Sequence, residues 1–402
     1  MKQVTLYGLN KNGSFKVWNI EVFDRSLGCA SIVVGHGSEG GKITNKVTNI
    51  REGKNIGRAN ETTPYQQAVS EAEGKINKQK DKGYRENKAD LSAIPMLPML
   101  AHDYRKQGHR IVYPCYTSVK LDGLRCLAEC TESGVTLKSR GGKFYDVPHV
   151  LNELQQVMKP GDVFDGELYF HGAVLEEIAS AVKRTDTHKE IEKAKRKLYK
   201  SVNQPQQVQT EALKEYDDAI GVHLLRQKLV FLVFDIAVED VVFTDRLALM
   251  EQLQYELDGD YEHLCYVRVL SYDEAKDEAE MKQQHARAVL EKFEGIMLRN
   301  AGGVYESGKR SADLQKYKEF LDEEFLIVDY EIDKDGCIVH VCKNNLNDET
   351  FTVIYGSHEE KRKKALTPTA FNGKMLTVKF QTRYKDTLLP QFPTGVVIRD
   401  YE

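Results

Sequence analysis

Lys120, Asp122 and Arg125 surround Gly123 within YPCYTSVKLDGLRCLAEC, residues 113–130. The flanking stretches alternate like strands, so Lys120 stands where a strand meets a tight turn. A lysine becomes a nucleophile only when its ammonium loses a proton, which cationic or low-dielectric surroundings favour. Taken alone, K-x-D-G favours an exposed surface hairpin, since many exposed turns contain it. Distant residues add to it. Asp165 and Glu167 in VFDGEL lie two apart and share one strand face. Two acids on one face of an apolar strand are costly unless paired, hydrogen-bonded or metal-bound. Glu294 in FEGIMLRN again stands beside a glycine. Lys316 and Lys318 in LQKYKEF share a face suited to phosphate oxygens, and Phe234 in LVFDIAV offers a ring to a base. A nucleophilic lysine, cations for phosphate, acids for a hard metal ion and an aromatic for a purine describe nucleotidyl transfer.

These residues fall in a middle block running from about Met96 to Lys318. LRCLAEC sets Leu124, Cys126, Ala128 and Cys130 on one face and Arg125 and Glu129 on the other, and VTLKSRGG returns after a TESG turn. Asp146 is expected to cap the helix VPHVLNELQQVM. VFDGELYF reads as a strand, VLEEIASAVKR as a helix and KLVFLVFDIAV as a buried strand. The segment from Arg184 to Arg226 is charged and glutamine-rich, and reads as helix, break at Pro205, helix. It is either a solvated hairpin or, through Lys193, Lys195, Arg196 and Lys197, a nucleic-acid contact.

Before it, residues 1 to about 85 hold the strands KVWNIEVFD and CASIVVG, a glycine-rich turn GHGSEGGK, and a helix from TTPYQQ to KDKGY. Thr62 or Thr63 can cap that helix and Gly83 can end it. RENKADLSAIP follows as a linker. After the middle block, EEFLIVDYEI, CIVHVCKN, ETFTVIYG and KMLTVKFQTRY are strands and EEKRKKAL a short helix. Such a pattern in about 80 residues suits a small β-barrel such as an OB-fold.

The 402 residues suit two to three domains, and the net charge of −4 does not announce nucleic-acid binding. The seven cysteines form no C-x-x-C and suit a reducing cytosol. No signal-peptide h-region opens the chain and no apolar run is long enough to span a bilayer. The expectation is a cytoplasmic, non-secreted protein with no membrane contact.

The middle and last blocks together resemble the ATP-dependent DNA ligases of the covalent nucleotidyltransferase superfamily. KLDGLR looks like motif I, SRGG like Ia, DGEL like III, VFD like IIIa, EGIMLR like IV and QKYK like V, in order over about 300 residues from Met99. YPCYTSVKLDGLRC and FPTGVVIRDYE look most like compact viral or phage ligases. The resemblance implies that Lys120 attacks the α-phosphate of ATP and holds AMP as a phosphoramidate. Ser118 and Val119 would line the nucleotide pocket, although related ligases often carry Gln or Glu at the Ser118 position to read adenine. Arg125 and Arg140 would contact the nucleotide and the nick phosphate. Glu167 would bind the ribose hydroxyl or help hold metal, Glu294 would coordinate Mg2+ or Mn2+, and Phe234 would stack on adenine. Lys316 and Lys318 would neutralise the α-phosphate, and Arg399 would orient the departing pyrophosphate. The first block resembles a WGR domain through Trp18, the GHGSEGGK turn and the helix ending KDKGY, with Val34-Gly35-His36 in place of Trp-Gly-Arg. Trp18 itself suits a core better than a contact.

The implied fold is α+β and multidomain. It comprises a WGR-like α/β domain over 1–88, a nucleotidyltransferase (ATP-grasp-like adenylation) domain of antiparallel sheets with helices over 96–318, and an OB-fold β-barrel over 319–402. The implied partner is nicked duplex DNA met by a monomer, with a DNA/RNA hybrid left open. The rivals are an RNA ligase, an mRNA-capping guanylyltransferase using GTP, and a nonenzymatic DNA-break scaffold.

Overall fold

Residues 2–10, 12–25, 28–91, 96–318, 320–333, 335–384 and 386–399 are described by the computed structural model. Part of the expected linker, 92–95, lies outside them, as does Glu319. The chain forms two compact units, one of 78–85 and 89–318, the other of 1–77, 86–88 and 319–402. The described residues form a mixed α/β protein with four sheets. None of the described helices is long and apolar enough to cross a membrane.

The unit holding 89–318 contains two sheets. The first runs Val267–Val269, Val230–Ile236, Val163–Tyr169, Leu124–Thr131, Gly134–Ser139, Phe144–Tyr145 in spatial order. Alternation sends Cys126, Ala128, Leu168, Phe231 and Val233 to one face, where helices Pro148–Val157, Leu175–Lys183 and Phe243–Asp258 bring Leu154, Ile178 and Met250. Each large apolar side chain buried there contributes about 1.5–3 kcal/mol. The second sheet runs Asp273–Ala275, Cys115–Lys120, Gly295–Arg299, Arg310–Tyr317, Leu100–Asp103. Cys115, Ile296 and Leu298 pack with Met281 and Ala288 of helix Glu278–Leu290 on one side, which leaves its other face for chemistry.

The charged segment forms helices Thr187–Ser201 and Gln206–Lys228, with Pro205 at the break. Arg226 ties this hairpin down. It donates to the carbonyls of Ala181 (3.0 Å) and Val182 (3.3 Å), at the end of helix Leu175–Lys183, and to the carbonyl of Asp146 (2.5 Å). A cation at a helix C-terminus satisfies carbonyls that have no partner within the helix. The same contact corrects the expected cap. Helix Pro148–Val157 begins after Val147 without a side-chain cap, and the Asp146 carboxylate faces Arg226 at 3.4 Å. Proline at the first helical position has no N–H to satisfy, so the cap is less needed.

In the other unit, strands Lys2–Leu9, Phe15–Arg25, Cys29–Ser38 and Thr44–Ile50 make an antiparallel sheet in chain order. Trp18, Ile20 and Val22 alternate into buried positions. GHGSEGGK is only partly a turn, because Gly35 to Ser38 continue the strand opposite Asn19 to Lys16. Ladder bonds to both neighbouring strands override the local glycine signal. Helix Pro64–Asp81 follows, with Thr63 Oγ1 accepting from the Gln66 N–H at 3.2 Å. Residues 320–399 give a five-stranded sheet ordered Thr350–Val353, Ile338–Lys343, Leu321–Ile332, Met375–Phe380, Thr394–Arg399, with Phe325, Ile327, Val378 and Phe380 in its core. Among the described residues one bridge, Ile354 to Thr394, links its edges, short of the continuous pairing of a closed barrel.

Candidate active site

Register alone brings six side chains to one face of the second sheet. Pairing of Cys115–Lys120 with Gly295–Arg299 sets Lys120 opposite Gly295 and Ser118 opposite Met297. The next strand sets Lys316 opposite Met297 and Leu314 opposite Arg299. Side chains two apart on a strand share a face. Ser118, Lys120, Met297, Arg299, Leu314 and Lys316 accordingly line one cavity of about 260 Å³.

The first sheet supplies the opposite wall. Glu167 lies across from Arg125, and its Oε1 accepts the Gly123 N–H at 3.0 Å. A Cβ on Gly123 would stand 2.6 Å from the Leu168 carbonyl oxygen, and one on Gly166 would stand 2.5 Å from the Leu232 carbonyl oxygen and 2.7 Å from the Phe231 ring. Only glycine lets these strands approach so closely, which explains both D-G pairs. Asp165 pairs with Asp235 and Gly166 with Val233, so Phe234 is the extra residue of a β-bulge. Bulges re-aim side chains, and this one leaves the Phe234 ring lining the cavity with Arg125 stacked over it at 4.6 Å. Arg125 is gripped on its far side by Asp165, at 2.6 and 2.5 Å, and the Tyr305 hydroxyl donates to the same carboxylate at 2.7 Å. That answers the cost of a fully buried acid on this strand.

Two lysines share one carboxylate, that of Glu294. Lys120 Nζ contacts Glu294 Oε2, and Lys318 Nζ lies 2.5 Å from Glu294 Oε1. Burial would raise the Glu294 carboxyl, but Lys120 and Lys318 override it and hold it below its ordinary value. Lys316 is lowered by burial and by the charges of Lys318 and Lys120. Burial and the Glu294 charge raise Asp122 against the pull of Lys120. Burial also pushes Glu167 up to about 7, against the attraction of Lys120, Arg125 and the Gly123 N–H.

This last shift has a measurable sign. With its folded value at about 7 instead of 4.5, Glu167 holds more protons folded than unfolded between those two values. Stability therefore falls as pH rises through that window. Glu167→Gln should become progressively more stable than the wild type from about pH 5 to pH 7. Urea midpoints of both proteins across that range would reveal it, and a constant difference would contradict it.

Of the residues singled out from sequence, Ser118, Val119, Lys120, Arg125, Arg140, Glu167, Phe234 and Lys316 line the cavity. Glu294 and Lys318 join it through the lysine cluster. Arg399 belongs to the other unit, where its Nε donates to Thr377 Oγ1 at 3.1 Å and meets Glu324 at 3.3 Å. Sequence reasoning missed Arg299, Tyr272 and Met297, which also line the cavity. Arg299 donates to the Phe234 carbonyl at 3.3 Å and Tyr272 does so at 2.6 Å. Strand alternation within EGIMLR was the available signal for Met297 and Arg299; Tyr272 had none.

Among the described residues no group of three or more His, Cys, Asp or Glu is arranged to hold a metal ion alone. Glu167 and Glu294 do sense each other's charge at this cavity. Mg2+ commonly takes only one or two carboxylates and fills its shell with water and substrate phosphate, a pattern this pair suits.

The sequence model of one protein family, described as ATP dependent DNA ligase domain, matches residues 95–318. A DNA ligase of African swine fever virus (isolate Warthog/Namibia/Wart80/1980) is 28% identical over 392 residues, covering 90% of this chain and 82% of its own. A DNA ligase of Enterobacteria phage T6 is 26% identical over 266 residues, covering 60% of this chain and 52% of its own. Among solved structures, a Lig E DNA ligase superposes with a TM-score of 0.55 at 22% identity, covering 76% of this chain and all of that one.

Proposed function

Because this chain belongs to the ATP-dependent DNA ligase family, we propose that its cavity carries out the adenylation chemistry that seals nicks in duplex DNA. The observation behind the proposal is Lys120 at a strand end, among Lys316, Lys318 and Glu294, facing a cavity with an aromatic wall. In the first step the Lys120 amine attacks the α-phosphorus of ATP. A P–N bond forms while the bond to the pyrophosphate oxygen breaks. The amine must first shed its proton, since only the neutral form is nucleophilic. AMP then passes to the 5′-phosphate at the nick, and the 3′-hydroxyl displaces it, closing the phosphodiester.

Lys316 and Lys318 meet the negative charge that grows on the phosphates as pyrophosphate leaves, the kind of preorganised stabilisation that dominates phosphoryl transfer. Phe234, fixed by its bulge and by Arg125, stacks on adenine, and Ser118 and Val119 line the same pocket. Arg125 and Arg140 contact the nucleotide and the nick phosphate. Glu167 and Glu294 would hold Mg2+ or Mn2+, whose charge offsets that of the phosphates when bound. Arg399 orients pyrophosphate from the last domain.

The domain reading is WGR-like DNA binding over 1–88, adenylation over 96–318 with the insertion at about 184–226, and an OB-fold over 319–402. The N-terminal sheet with its following helix and the five-stranded C-terminal sheet are what the reading rests on. A monomer suffices, since one chain carries every group named. DNA/RNA hybrids are the second substrate to test.

The deciding experiment incubates the protein with α-labelled ATP or GTP, then offers nicked DNA, DNA/RNA hybrid or RNA. The expected result is a labelled adduct from ATP and sealing of the DNA nick. Label from GTP alone would move the reading to a capping guanylyltransferase. DNA binding without an adduct would leave a scaffold.

A further inference from the structure

We propose that the exposed face of helix Thr187–Ser201 is a second docking surface for the duplex, holding its phosphate backbone away from the reacting nick. This rests on the ligase reading above for its choice of polyanion. The helix carries six lysines and arginines against two glutamates, in a chain whose net charge is −4. An acidic protein that binds a polyanion must concentrate its cations locally.

Position matters more than the total. At about 100° per residue, Lys189, Lys193, Arg196 and Lys200 fall within a sector about 60° wide. All four are exposed. The opposite stripe, Thr187, Ile191, Ala194, Leu198 and Ser201, is buried or half-buried, and this helix packs on Gln206–Lys228. Lys197 is claimed by Glu215 and Arg184 by Glu190, but no ion pair involves the four stripe residues among the described residues. Like charges at i,i+4 spacing, Lys189 with Lys193 and Arg196 with Lys200, destabilise a helix. An array of phosphates would reverse that cost.

The stripe is long enough and firmly held. From Lys189 to Lys200 is eleven residues, about 16 Å at 1.5 Å each. One strand of duplex presents a phosphate every ~3.4 Å along the axis, so about five phosphates lie within that length. Arg226 fixes the hairpin to helix Leu175–Lys183, which follows the strand bearing Glu167 in the same unit. No apolar side chain interrupts the four cations on their sector, which disfavours a protein groove or a bilayer as the partner.

The test compares the full-length wild type with K189Q/K193Q/R196Q/K200Q, using anisotropy of a nicked duplex ending in a 3′-dideoxynucleotide between about 50 and 200 mM salt. Four lost phosphate contacts at ~0.9 each should make the log–log salt slope shallower by about 3.6, with affinity at least ~10-fold weaker at the upper end. Adduct formation with α-labelled ATP should be unchanged, and K189R/K193R/K200R should bind like the wild type. Unaltered affinity and slope in the quadruple variant would overturn the proposal. So would equal weakening in the arginine variant, or wild-type preference for phosphatidylserine vesicles over duplex. Failure of the wild type to form any adduct would instead sink the ligase reading, while the binding isotherms still decide the stripe.

Discussion

Lys120→Ala should form no protein–AMP adduct and should seal ordinary nicks at least ~10⁴-fold more slowly, the scale on which loss of a covalent nucleophile is felt. The fold should survive, because Glu294 keeps Lys318 as its partner at 2.5 Å. Sealing of a nick that already carries AMP on its 5′-phosphate should be far less affected, since that step needs no lysine amine. Gel assays on plain and pre-adenylated nicks separate the two. An adduct that persists in Lys120→Ala would place the nucleophile elsewhere. Equal loss on both substrates would show that the variant damages the cavity generally.

The second large effect concerns a residue that touches no substrate. Asp235 is fully buried and serves two guanidinium groups, with Oδ1 2.7 Å from Arg246 Nε and Oδ2 2.6 Å from Arg299 Nη1. Both arginines are almost wholly buried. Asp235→Asn keeps the shape and removes the charge, leaving two cations together without a counter-ion. Breaking buried pairs in this way costs about 3–5 kcal/mol, a large share of a typical 5–15 kcal/mol stability. Urea denaturation should show the loss, and a variant within ~1 kcal/mol of wild type would refute it. Activity should fall with stability, because Arg299 also holds the Phe234 carbonyl.

How much was readable beforehand depended on the range of the interaction. Strand period and motif spacing, together with the resemblance to DNA ligases that supplied Ser118, Val119 and Arg140, singled out eight residues that share one cavity. The Asp165 and Glu167 pairing question was also visible, though not its answer. Tyr305 comes from 140 residues away to meet Asp165, and no local pattern announces such a contact. Tyr272 escaped for the same reason. The Asp146 cap failed because Arg226, 80 residues on, competes for that residue. The glycine-rich stretch near Gly35 was read as more turn than it is, since pairing on both sides outweighs local preference.

The bulge at Phe234 makes this strand a length-critical element. A bulged strand carries one residue more than its partner, so losing one residue between 231 and 233 would erase the bulge and set Phe234 opposite Gly166, in the place of Val233. One missing codon would then turn the ring away from the cavity while Asp235 stays opposite Asp165. Point-substitution surveys would under-report such a segment, because conservative replacements at Leu232 leave its length intact.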